Sequence, residues 1–136
     1  KPDDWDADYV RAEAGPSSAI TLHNLAEEAE FGSIGHKPPP ELARLVDEYR
    51  KIYERYEPAH ARYLANHKNH LMTVRPEEEH LIGGDFIRAT TLSGTKEELR
   101  DKLRALEDMG YTTFTTHVRT VLPEMVEKWA DVIEGV

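Results

Sequence analysis

The sequence contains no cysteine. That absence excludes a disulfide framework, a thiolate metal site and a cysteine nucleophile together. No apolar run approaches the roughly 20 residues that a membrane-spanning helix requires, and nothing at the start pairs a charged segment with an apolar centre as a signal peptide does. A soluble, cytoplasmic protein is expected. Positive charge is scarce: 17 Lys and Arg stand against 26 Asp and Glu, for a net charge of −9. A field of that sign repels phosphate backbones and anionic lipid, so neither nucleic acid nor a membrane surface is an expected partner. There is no Gly-x-Gly-x-x-Gly or Walker-type loop to cradle a nucleotide, no internal repeat and no low-complexity tract.

What is present reads as helix almost throughout. The 136 residues suffice for one modest core. The chain opens on Lys1 and the acidic run "KPDDWDADYV", which reads as a portion of something longer. In "GPSSAITLHNLAEEAEFG", Pro16 suits a first helical position, Ala19, Leu22, Ala26 and Ala29 share one side, and Gly32 is a stop. The fragment "AITLHN" taken alone also fits a strand. "GSIGHKPPP" is a loop by composition. Leu42, Leu45, Val46, Tyr49, Ile52, Tyr53 and Tyr56 then lay an apolar stripe along a helix opened by Pro39 and Pro40. After a bend at Pro58, a second helical stretch carries "ARYLANHKNHL" to about Met72.

The last third is the most clearly punctuated. Thr95 is placed to cap a helix, with Glu98 reaching back to its amide; Leu99, Leu103 and Leu106 form one face, and Gly110 closes it. "YTTFTTHV" is the one convincing strand. Leu122, Met125, Val126, Trp129, Val132 and Ile133 give a final amphipathic helix with Pro123 near its first turn. A lone strand needs neighbours for its backbone groups, so it is expected to pair with a second copy or with a part of the protein outside this chain.

The ordered segments "EAGPSSAITLHNLAEEAEFG", "ARYLANHKNHLMTVRPEEEHLI" and "GTKEELRDKLRALEDMGYTTFTTH", followed by "LPEMVEKWADVIEGV", resemble the luciferase-like monooxygenases over most of residues 10 to 136. The carrying motifs are a Gly-Pro helix containing a His, an Arg-x-Leu-x-x-His-x-x-His-Leu pattern, and a Gly-Thr-x-Glu-Glu helix start before the final strand. The resemblance implies a mainly helical chain with one strand: the C-terminal part of a (β/α)8 barrel, with residues 1–36 as an N-terminal helical segment, 37–94 as a helical insert and 95–136 as the last helix-strand-helix unit. It implies an oxidoreductase using FMN or the deazaflavin coenzyme F420, inactive without the missing N-terminal barrel portion and acting on a small molecule, with a homodimer as the expected assembly. Barrel sites sit at the strand C-termini, which places Arg119 as the cofactor-phosphate residue; a solvated loop arginine is the plainer reading of the same side chain.

The histidines carry the remaining chemistry. On a continuous helix His60, Tyr63, His67 and His70 share one broad face, and His23 on the early helix is the better pocket candidate by the resemblance. His23, His67 and His70 are therefore the expected catalytic residues and Tyr63 a substrate contact, as proton donors and hydrogen-bonding groups. The competing reading is that these amphipathic rings simply pack with their polar atoms satisfied. Two further readings stand beside the oxidoreductase. One is a non-enzymatic helical module that dimerises or binds a partner. The other is a di-iron protein using Glu57-x-x-His60 and Glu77-x-x-His80, which Pro58 and the short second segment disfavour; no metal ligands are assigned. Glu77, Glu78 and Glu79 after Pro76 read as charges opposing a helix dipole.

Overall fold

The computed structural model describes residues 4–32, 39–117 and 123–136. The chain falls into two compact units, Asp3–Thr91 and Leu92–Val136. In the first unit, α1 runs Asp8–Phe31, α2 Ala43–Tyr53, α3 Arg62–Asn66 and α4 Gly84–Thr90, with short 3₁₀ turns at Ala59–Ala61 and Glu79–Leu81. In the second, α5 spans Lys96–Asp108 and α6 Glu124–Ile133.

The first unit is built around α1. Pro16 lies inside this helix rather than in its first turn. Val10 and Ala14, on the N-terminal side of the proline, pack against the same core as Ala19, Leu22 and Ala26 beyond it, and that shared burial holds the helix through a residue that removes one donor. Gly32 ends it in the left-handed region at φ 58°, where a side chain would be strained. The stripe on α2 buries Val46, Tyr49 and Tyr53, which meet Leu22, Leu81, Ile82, Phe86 and Ile87 in one cluster. Helix α4 is tied to α1 by the Ser18 and Thr90 hydroxyls, 2.6 Å apart. Its first turn is capped by Asp6, whose Oδ1 accepts from the Gly84 amide at 2.8 Å. A Cβ at Gly84 would come within 2.5–2.8 Å of Trp5, so only glycine permits this close approach.

Two expectations fail in physical terms. The expected strand does not form: among the described residues there is no strand at all, and residues 111–117 run without regular structure. A ladder requires a second backbone, and none among the described residues is paired with it. With it goes the fold class: helices are the only regular elements among the described residues, which do not form a helix-strand-helix portion of a (β/α)8 barrel. The histidine-bearing helix is also shorter than expected. It stops at Asn66, and Asn69 and Leu71 take positive φ of 59° and 65°, which no α-helix continues. No helix among the described residues is long and apolar enough to cross a membrane.

In the second unit the capping box is present: Thr95 Oγ1 accepts from the Glu98 amide at 3.2 Å and the Thr95 amide donates to Glu98 at 2.8 Å. Arg100 donates to the Asp131 and Val132 carbonyls near the end of α6, at 2.7 and 3.2 Å, and Lys96 pairs with Asp131 at 2.8 Å. Only Leu103 and Val132 are buried there among the described residues, so local terms weigh heavily. Thr95→Ala is expected to cost about 1 kcal/mol, read as a lower thermal midpoint with reduced helical ellipticity.

Candidate functional site

The site assembles where α1, α2, the end of α3 and the turn after Arg75 meet. Helix periodicity puts His23 and Glu27 one turn apart on α1, while α2 supplies Tyr49 and the last residue of α3 is Asn66. Glu78 is 0% exposed and His23 3%. A buried carboxylate survives only if its lone pairs are engaged, and Glu78 is fully engaged. It accepts from His23 Nε2 at 2.8 Å, from an Arg75 terminal nitrogen at 2.6 Å and from the Arg75 amide at 3.0 Å. Burial pushes its pKa up, but the bonds from His23 and Arg75 outweigh this and bring it down to about 2.

That ionisation fixes the histidine. A carboxylate can only accept, so His23 Nε2 must carry a proton and donate it. The same Arg75 nitrogen lies 3.1 Å from Nε2; both bear protons, so this approach reflects their shared partner. Nδ1 of His23 is left to act as a base or, once protonated, as a donor. It is buried and has no hydrogen-bond partner.

Arg75 extends the network. It donates to the Tyr49 hydroxyl at 2.6 Å and to the Ala65 carbonyl at 2.8 Å, and its guanidinium lies over the Tyr56 ring. Burial is the main cause raising the Tyr49 phenol far above its ordinary value, so it stays neutral and donates to Asn66 Oδ1. The Asn66 amide donates to Glu27 at 2.6 Å. Glu27 in turn is 2.9 Å from His67 Nε2, and His67 Nδ1 faces His70 Nδ1 at 3.0 Å. The His70 ring lies 5.5 Å from that of His23. Burial, and then the neighbouring His67 and His23, push the His70 pKa below its usual value.

His23, His67 and His70 therefore lie together, although the latter two occupy turns rather than a helix face. Tyr63 does not join them and is 42% exposed. Arg119 lies outside the described residues. Sequence reasoning missed Glu78, Arg75, Asn66 and Tyr49 as site residues; the i, i+3 spacing of Arg75 and Glu78 across Pro76 was the available signal. His60 and His80 are exposed. Glu57 accepts from the Ala59 amide and Glu77 from the Tyr56 hydroxyl. Among the described residues no group of three His, Asp or Glu is gathered to hold a metal ion. A separate groove of about 640 Å³ is lined by Lys51, Arg55, Tyr56, Glu77 and His80.

No protein-family model, curated protein or solved structure matches the chain. The luciferase-like resemblance accordingly rests on the quoted motifs alone.

Proposed function

We propose that the chain contributes the proton-handling wall of a flavin- or deazaflavin-dependent oxidoreductase acting on a small molecule. The cofactor half of this reading is supported by the ordered motifs. The proton half is supported by one observation: His23 is held through Nε2 by an ionised, buried Glu78 while its Nδ1 is left without a partner. A carboxylate that fixes one ring nitrogen makes the other a defined acid or base, the arrangement that general acid-base catalysis requires.

His70 links this buried ring to the exposed side. Held neutral near pH 7, it stands between His23 and His67, and His67 is partly open to solvent and paired with Glu27. The site itself does not fit a flavin phosphate: its cation, Arg75, is bound by Glu78 and borders Glu77 at 3.8 Å. The phosphate would be met by groups outside this network.

The test uses protein expressed from the complete reading frame that encodes it. Titration of FMN and of the deazaflavin should quench the fluorescence of one of them, and His23→Gln should lower turnover with that cofactor by about 10²–10⁴-fold while leaving its affinity unchanged. Fluorescence unaltered for both cofactors defeats the cofactor assignment. Turnover and its pH profile unaltered in His23→Gln defeat the proton assignment.

A further inference from the structure

Residues 111–117, "YTTFTTH", are unusual for an exposed segment. The Tyr111 amide donates to the Leu106 carbonyl at 3.1 Å, but from Thr112 to His117 no backbone group has a hydrogen-bond partner among the described residues. Tyr111 is 63% exposed and Phe114 38%. The composition is strongly strand-favouring, with four threonines and two aromatics in seven residues. In a chain that is 32% charged, no Asp, Glu, Lys or Arg lies between Asp108 and Arg119. Exposed β-competent segments are ordinarily guarded by such charges, because an unguarded one templates pairing with another backbone.

We propose that this segment is a self-association surface, on which two copies of the chain pair antiparallel about a two-fold axis through Phe114. The sequence matches itself in that register. Tyr111 falls opposite His117, Thr112 opposite Thr116, Thr113 opposite Thr115, and Phe114 opposite its own copy. Thr-Thr and aromatic cross-strand pairs are favourable, and no like charges meet. Alternation puts Thr112, Phe114 and Thr116 on one face. Phe114 already rests on Trp129 of α6, with ring centroids 5.3 Å apart, so pairing would join two Phe-Trp contacts into one apolar row and back the ribbon with helices. Two bare strands alone are marginal in water. A two-fold interface uses the same patch on both copies, which an uncharged segment permits even though each chain carries net charge −9.

Sedimentation of the intact chain over a range of concentrations tests this. A monomer-dimer equilibrium should appear and tighten as salt screens the mutual repulsion of the chains. Hydrogen exchange should slow at alternate amides within residues 112–117 as the dimer fills. The register is tested by charge. Thr113→Lys with Thr115→Lys sets like charges opposite each other twice and should weaken the dimer by about tenfold or more; Thr113→Lys with Thr115→Glu sets opposite charges there and should restore it. The residues are exposed, so the helical circular dichroism of both variants should match that of the parent. A monomer at every concentration and salt overturns the proposal. So does a dimer indifferent to the like-charge variant, or one that the opposite-charge variant fails to rescue.

Discussion

Arg75→Met is expected to lower the free energy of unfolding by about 3–5 kcal/mol, the usual cost of removing one member of a buried ion pair. The cause lies in what the substitution strands. Glu78 would remain fully buried with one charged donor gone, and the Tyr49 hydroxyl and the Ala65 carbonyl would lose their donor as well. Urea denaturation at neutral pH measures the loss, and a cost under about 1 kcal/mol would mean that water reaches Glu78 in place of the guanidinium. The acid limb supplies an independent check. The Glu78 pKa is about 2 in the folded chain against 4.5 for an unperturbed glutamate. A depressed carboxylate stabilises fully above its unfolded value and loses that contribution as pH falls through its folded one. About 3 kcal/mol should therefore disappear between pH 4.5 and pH 2, and Glu78→Gln should flatten that limb. His70 acts with the same sign at higher pH. Its lowered pKa means that the unfolded chain binds the proton more readily, so stability falls as pH drops below 6.5.

The parts of this molecule that were legible beforehand are those decided within a few residues. Thr95 and Glu98 satisfy each other three positions apart, Gly32 stops α1 because the left-handed region excludes side chains, and the α2 stripe is written in its spacing. Where tertiary contacts decide, the reading failed. Pro16 signals a helix start by its chemistry, yet burial of Val10 and Ala14 carries the helix back to Asp8. The β-favouring threonines after Gly110 predict a strand that the described chain has no partner to complete. Three consecutive glutamates follow Pro76, and nothing local distinguishes the middle one. Packing does: Glu77 and Glu79 are exposed while Glu78 turns inward to His23 and Arg75. The histidines were found as candidates from an assumed helix face, and they meet by a different route, through the turn that follows Asn66.

The second large loss is expected from Leu22→Ala, about 2–5 kcal/mol. Leu22 is fully buried among Ala19, Ala26, Val46 and Ile87, and small alanines on either side of it along α1 leave little side-chain volume to refill the hole. Its neighbour in sequence, His23, faces the polar network instead, so consecutive residues of one helix serve opposite requirements: one loses contacts when truncated, the other loses a partner. A crossed measurement separates them. Leu22→Ala should lower the urea midpoint while leaving the imidazole resonances of His23 in place, because the cavity opens on the apolar side. Arg75→Met should lower the midpoint and move those resonances, because His23 is then the only side chain still donating to Glu78, beside the amide of residue 75. If both variants displaced the His23 signals equally, the carboxylate would not be what fixes that ring, and the acid-base reading of Nδ1 would fall with it.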